Sequence, residues 1–379
     1  MLAPFNGLLF NPSVVGDVGA ATSPPYDVIS AEEQLRLEQG SAYNMVRLLL
    51  PGAERYQDAG RLLEAWRRSE ALVQDPTERF YIYEMEWIAE GEEHVAKGVV
   101  GALLVEELGT RVLPHEETMS GIRADRYAVL DATQANLDPI VALSSSTRLI
   151  DLLEAPGAPR VEVTDPEGVI HRLAEITDGD AIADVRTAVR DGTLSIADGH
   201  HRYTTALAYA GDHGPGPWSR IMAVVAPARG SGLEIAPYHR WFPTSTDVGA
   251  AASAFTVSPV APVPPTNPGA LVVVTGQKAI LLTPKDRTIA TLTPPLGEAS
   301  AAVARDILYP LVGLDENDAR YTPSADEAVD RARAGGTAVL VAPVTEAAIA
   351  AASDAAVRFP QKTTYFRPKP RAGLVLRTF

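Results

Sequence analysis

The stretch Ser195-Ile-Ala-Asp-Gly-His-His-Arg-Tyr203 constrains this chain more than any other. Thr193 to Ala197 reads as a short strand and Asp198-Gly199 as a turn. From His200 to Ala210, residues Tyr203, Ala206, Leu207 and Ala210 then return at helical spacing. A helix that starts straight after a strand presents backbone amides with no intrahelical partner and a partial positive charge, so the turn suits an anion before any side chain is counted. His200, His201 and Arg202 add donors matched to phosphate oxygens, Arg202 through its fork. The alternative is an Asp198 helix cap, with both histidines on a solvated first turn.

The rest of the chain supplies the setting. Asn11 to Asp27 carries Asn-Pro, Ser-Pro-Pro and two glycines, which excludes regular interior structure. Asp58 to Gln74 places Leu62, Leu63, Trp66, Leu72 and Val73 near helical spacing, up to the stop at Asp75-Pro76. Residues 79 to 89 switch to alternation and lead into a second apolar run from Val95 to Val105, a hairpin. Ala, Pro and Val dominate from Pro243 to Pro268, which reads as a linker or weakly structured crossing. Beyond it come strands at Leu271–Thr275, Ala279–Leu282, Ile289–Leu292 and Ala338–Val341, and helices at Ala299–Leu308, Ala325–Ala334 and Glu346–Arg358. The expectation is an α+β chain in three parts: a main domain over 1–243, a smaller α/β domain over 244–358 and a C-terminal tail, 359–379, that packs back on the main domain.

Composition removes whole classes of function. With 33 Lys plus Arg against 48 Asp plus Glu, the net charge is −15, which argues against a general nucleic-acid binder. There is no cysteine, so disulfides, thiolate metal sites and thiol nucleophiles are all excluded. No apolar run approaches the roughly 20 residues of a membrane helix, and the first ten residues lack a signal pattern, so the expected setting is soluble and cytoplasmic. Walker, Gly-x-Gly-x-x-Gly, Gly-x-Ser-x-Gly and His-Glu-x-x-His patterns are all missing.

Three further groups could carry chemistry. Pro114-His115-Glu116-Glu117-Thr118 places a carboxylate just past an apolar run, where it can serve as a general base if something holds it near a hydroxyl; a solvated acidic pair is the plain alternative. Lys362, Thr363 and Thr364, in the basic and aromatic stretch 359–369, could reach a phosphate or a carboxylate, or could lie on the protein's own acidic surface. Tyr26 and Asp27 follow the forced turn Ser23-Pro-Pro25, where Asp27 reads as a cap or a ligand. Asp125 and Arg126 read as a helix-surface ion pair.

Taken in order, Phe5-Asn-Gly-Leu8, Ser23-Pro-Pro-Tyr-Asp27, Asn44-Met-Val-Arg-Leu48, His115-Glu-Glu-Thr118, Ala197-Asp-Gly-His-His-Arg-Tyr203 and Pro360-Gln-Lys-Thr-Thr-Tyr-Phe366 resemble domain-of-unknown-function family 1015 across the whole chain. More narrowly, Asp198-Gly-His-His-Arg202 looks like the phosphate-binding turn of the ParB/sulfiredoxin superfamily. Pro114-His-Glu116 together with that turn is similar to the motif pair of its free-serine kinases. The resemblance implies a ParB/sulfiredoxin-like mixed-sheet core with large flanking elements. It implies transfer of a phosphoryl group from ATP or ADP, with CTP a further candidate and with Mg²⁺, to a small hydroxyl metabolite such as L-serine. Carried over, Glu116 is the base and Asp198 orients substrate or metal. Gly199, His200, His201, Arg202, Lys362 and Thr363 hold phosphates, and His115, Asp27 and Tyr26 meet substrate. A non-catalytic nucleotide sensor or scaffold, or a phosphoserine phosphatase, would use the same site. No nucleic-acid or membrane partner is implied, and a homodimer is left open. The motifs lie about eighty residues apart, farther than in the compact kinases, and sulfiredoxin's cysteine is absent.

Overall fold

A computed structural model describes residues 1–52, 54–89, 91–114, 116, 120–154, 157–355 and 357–379, with the side chains of 120–123, 353 and 354 left aside. The chain forms two compact units. The first comprises Met1–Leu113, Met119–Leu233 and Pro368–Phe379; the second comprises Pro114–Thr118 and Glu234–Arg367. No described helix is long and apolar enough to cross a membrane.

The first unit is built on a nine-stranded mixed sheet. Across it run Leu194–Asp198, Ile140–Ser144, Arg220–Pro227, Glu92–Leu104, Phe80–Ala89, Ile170–Ile176 and Val161–Thr164. Arg220–Pro227 lies parallel to Ile140–Ser144 and antiparallel to Glu92–Leu104. The expected hairpin is the pair Phe80–Ala89 and Glu92–Leu104, in register from Tyr81↔Val100 to Ala89↔Glu92.

Alternation explains why both faces are covered, because successive side chains of a strand point to opposite sides. Ile221, Ala223 and Val225 enter one core with Val185, Val189, Tyr203 and Ala206 from the helices Gly179–Arg190 and His200–His213. Met222 and Val224 enter another core with Tyr81, Tyr83 and Met85. A third cluster joins Leu63 and Trp66 of the helix Tyr56–Arg68 to Val129, Leu137 and Leu376.

The predicted helix over 58–74 ends early. Tyr56–Arg68 is helical, Glu70 takes a left-handed φ of 57°, and Leu72–Gln74 becomes a strand paired with Leu8–Phe10. The apolar Leu72 and Val73 belong to a strand because the chain reverses at Glu70 before they are reached.

The second unit holds a six-stranded sheet in the order Phe255–Pro259, Lys278–Pro284, Leu271–Thr275, Thr337–Val341, His239–Phe242 and Arg320–Thr322. Two expectations change here. The segment 243–268 is more than a linker, since Phe255–Pro259 forms the sheet's edge, where a terminal proline is tolerated. Residues 289–292 are not a strand: Asp286–Ile289 is a helical turn, with Ile289 packed on the core of the unit. A short apolar run does not distinguish the two states by periodicity.

Candidate functional site

The strand Leu194–Asp198 carries a register shift between Ile196 and Asp198 against Ile140–Ser144. An irregularity of this kind re-aims a side chain at a sheet end. Gly199 follows at φ 91°, and the helix His200–His213 starts with no side-chain cap. Only glycine suits the position, because a Cβ there would lie 2.6 Å from Ile140 Cγ2 and 3.1 Å from Arg202 Nε. Asp198 is therefore not the cap, and its carboxylate faces a cluster of charges.

Arg202 lies at the centre of that cluster. Its Nη1 donates to Asp138 Oδ2 at 2.6 Å and to the Pro139 carbonyl at 2.5 Å, and its Nη2 donates to Asp198 Oδ2 at 2.5 Å. The arginine is 9% exposed. Burial works against its charge, but Asp138 and Asp198 outweigh it and hold the guanidinium firmly protonated. The fork that the sequence reading gave to phosphate is thus closed on two carboxylates. Burial pushes the Asp138 carboxyl above the usual carboxylate range, with Arg202 opposing.

Lys369 completes the group. Its ammonium meets Asp27 Oδ2 at 3.1 Å and Asp198 Oδ1 at 2.7 Å, with the side chain 6% exposed. The convergence has a structural cause: Ser23 and Ala372 form a bridge, and Arg371 donates its backbone N–H to Tyr83 Oη and its Nε to Thr22 Oγ1. Asn44 pins the same segment by donating to the Ala20 and Thr22 carbonyls. The turn Ser23-Pro-Pro25 then delivers Tyr26 and Asp27. The Arg126 guanidinium lies 4.1 Å from the Tyr26 ring centroid, and burial raises the Tyr26 hydroxyl above its ordinary range. Arg126 does pair with Asp125, but as a buried residue rather than a surface one.

The first unit thus brings together Tyr26, Asp27, Asp198, Gly199 and Arg202 from the sequence-level set, and adds Arg126, Asp138 and Lys369. Asp138 and Arg126 lie in no motif. Lys369 follows the quoted tail motif, where its cationic character was the only signal. His200 is buried and His201 half-buried on the first turn of the helix.

The remaining predicted residues lie in the second unit. Glu116 is 8% exposed, and its Oε1 accepts from the Thr364 amide at 2.7 Å and the Thr364 hydroxyl at 2.6 Å, while Oε2 accepts from the Lys362 amide at 3.1 Å. Lys362 adopts a left-handed φ of 55°, with its ammonium 4.7 Å from the Tyr238 ring centroid. The Thr363 hydroxyl is spent on the Pro360 carbonyl at 2.6 Å. His115, assigned to substrate, lies outside the described residues, as do Glu117 and Thr118. Among the described residues, no group of three or more His, Asp or Glu could hold a metal ion.

No curated protein matches the chain. Among solved structures, a free serine kinase variant in complex with ADP is similar at 12% identity and TM-score 0.39, over 70% of this chain and 89% of that one. SbnI with a C-terminal truncation, from Staphylococcus aureus, is similar at 12% identity and TM-score 0.42, over 73% and 87%. A conserved hypothetical protein from Pyrococcus furiosus is similar at 12% identity and TM-score 0.37, over 69% and 90%. The model of one family, described as Protein of unknown function (DUF1015), matches residues 2–306, and the chain belongs to that family.

Proposed function

We propose that the chain is a nucleotide-dependent phosphotransferase with a ParB/sulfiredoxin-like core, acting on a small hydroxyl metabolite, with L-serine as acceptor. The observation that carries this reading is the turn at Gly199: a left-handed glycine and a helix start with no capping side chain, beside the carboxylates of Asp198 and Asp27. Phosphoryl transfer asks a protein mainly for positioning and charge stabilisation, and a helix start surrounded by fixed charges supplies both.

Gly199, His200 and His201 hold the phosphates at the turn, and Arg202 keeps Asp198 in place while adding positive charge. Lys362 and Thr363 are carried as further phosphate contacts, and Tyr26 and Asp27 as substrate contacts. In the reaction, the acceptor oxygen forms a bond to the terminal phosphorus, the bond from that phosphorus to the bridging oxygen of ATP or ADP breaks, and the hydroxyl proton passes to Glu116.

Mg²⁺ fits this donor set in one respect. Asp27 and Asp198 already converge on a single cation, the Lys369 ammonium. Magnesium needs only one or two carboxylates when phosphate oxygens supply the rest. Asp198 and Asp27 would hold it, and its contribution is to neutralise phosphate charge.

A second reading, a nucleotide sensor without chemistry, has its own support: both Glu116 oxygens are taken up by Lys362 and Thr364, as in a carboxylate that holds a strap. Incubation with ATP, ADP or CTP, Mg²⁺ and L-serine separates the two. Phosphoserine with matching nucleotide loss supports the kinase, binding without product supports the sensor, and phosphate release from added phosphoserine points to a phosphatase. Glu116→Gln should abolish turnover and leave nucleotide affinity nearly intact; equal loss of both rejects its role as base.

A further inference from the structure

Lys369 is held between Asp27 and Asp198 by a segment whose own anchorage lies deeper in the first unit. It stands in Pro368-Lys-Pro-Arg371, between two prolines whose rings fix φ and restrict the residue before each of them. The segment therefore has few ways to bend, and whatever holds Arg371 also places Lys369, two residues away. Arg371 is held twice. Its backbone N–H donates to Tyr83 Oη at 2.8 Å, and its side chain donates from Nε to Thr22 Oγ1 at 2.8 Å, with Nη1 3.8 Å from Asp165 Oδ2.

Tyr83 passes the constraint on. Its hydroxyl lies 2.9 Å from His171 Nδ1, and His171 Nε2 lies 3.1 Å from Asp165 Oδ2, with both rings buried. Asp165 is fixed in its own turn, where Oδ1 accepts from the Glu167 and Val169 amides at 3.0 and 2.9 Å. Burial works against its charge, but His171 and the Val169 amide outweigh it and keep the carboxyl below its ordinary range. Burial also lowers the His171 pKa, against the pull of Asp165, so the ring is neutral near neutral pH. These partners set the direction of each proton. A carboxylate only accepts, so the imidazole hydrogen lies on Nε2; Nδ1 then accepts the Tyr83 O–H, and the Tyr83 oxygen accepts the Arg371 N–H.

We propose that Tyr83 and His171 are positioning residues for the charge cluster. A one-way relay, Arg371 N–H to Tyr83, Tyr83 O–H to His171 and His171 N–H to Asp165, fixes the backbone beside Lys369 and so keeps its ammonium between Asp27 and Asp198. The inference rests on the phosphotransferase reading for the role of that ammonium, and on the hydrogen bonds alone for its placement. The same strand supplies a comparison. Tyr81 is as buried as Tyr83 and stands two residues before it, but its hydroxyl bonds the Gly7 amide at 3.0 Å and Asp75 Oδ2 at 2.5 Å. Loss of either hydroxyl removes a buried hydrogen-bonded group, and only the loss at Tyr83 cuts the relay.

Reductive methylation of the full chain, read by mass spectrometry as the rate at Lys369 relative to the exposed Lys278, reports where the ammonium is held. Tyr83→Phe should raise that ratio on the order of fivefold, because the segment opens more readily with one hydrogen bond fewer, while Tyr81→Phe should leave it within about twofold. His171→Gln keeps a donor toward Asp165 and removes the acceptor of the Tyr83 hydroxyl; it guards against a folding defect in Tyr83→Phe and should raise the ratio at least about twofold. An unchanged ratio in a folded Tyr83→Phe or His171→Gln, or an equal rise in Tyr81→Phe, overturns the inference. The same proteins are then given ATP, Mg²⁺ and L-serine. Release of Lys369 by Tyr83→Phe, with no phosphoserine made by wild type, upholds the relay and removes the phosphotransferase. With phosphoserine made by wild type, Tyr83→Phe should lower kcat at least about threefold and Tyr81→Phe less than about twofold; turnover that survives the release of Lys369 overturns the positioning role.

Discussion

Replacing Arg202 by methionine removes a buried guanidinium and leaves Asp138 with no hydrogen-bonded cation. Both side chains are 9% exposed and meet at 2.6 Å. Breaking one side of a buried, hydrogen-bonded ion pair costs about 3–5 kcal/mol, because the remaining charge stays desolvated. The reverse change is milder. In Asp138→Asn, Arg202 keeps Asp198 and the Pro139 carbonyl, so a cost of about 1–3 kcal/mol is expected. Together the two substitutions should cost less than their sum by about 2 kcal/mol, since the double variant no longer strands a charge. Urea unfolding at neutral pH measures all four proteins, and Trp66, buried in the first unit, reports the relevant transition. The pH dependence fixes the cause. Asp138 is already raised above its unfolded value, so the folded state binds the extra proton, and the deficit of Arg202→Met should be smaller near about pH 5 than near about pH 8. Single costs that add within about 0.5 kcal/mol, or a pH-independent deficit below about 1 kcal/mol, would refute the reasoning.

Gly199→Ala forces a Cβ against Ile140 at a left-handed φ of 91°, and should cost at least about 2 kcal/mol in unfolding experiments while weakening nucleotide binding. His239, in the second unit, is lowered from 6.5 to about 4 by burial and then by Arg240. The unfolded chain takes up its proton first, so stability present above pH 6.5 is lost as pH falls toward about 4, on the order of 1.4 kcal/mol per unit. Thermal melts across that range should show a shallower acid limb for His239→Gln than for wild type. A parallel decline would remove His239 as its source. Lys369→Met removes the ammonium shared by the Asp27 and Asp198 carboxylates and should weaken L-serine phosphorylation at least about tenfold; undiminished turnover would detach Lys369 from the site.

The parts of this chain that were legible in the sequence are the local ones. The strand, glycine and helix at 194–213 follow from residues that are neighbours, and so does the hairpin from Phe80 to Leu104, whose alternation survives into the paired register. The charge cluster was only half legible. Asp27, Asp198 and Arg202 stood in motifs, but Lys369 reaches the two aspartates across 342 and 171 residues, a meeting fixed by the Ser23–Ala372 bridge and the Arg371 contacts. No spacing rule foretells that. The commitment of the Arg202 fork was hidden for a similar reason, since Asp138 lies 64 residues away in a segment with no motif. The helix over 58–74 failed at one backbone angle, that of Glu70, to which hydrophobic periodicity is blind.

The most direct test of the central claim, that phosphate binds where the strand ending at Asp198 turns into the next helix, is calorimetric titration of ADP and ATP with Mg²⁺ into wild type and Gly199→Ala, below the unfolding temperature of both. Saturable binding to wild type, weakened at least about tenfold in the folded variant, is the predicted result. Wild type that binds neither nucleotide, or a folded Gly199→Ala that binds them equally well, contradicts it.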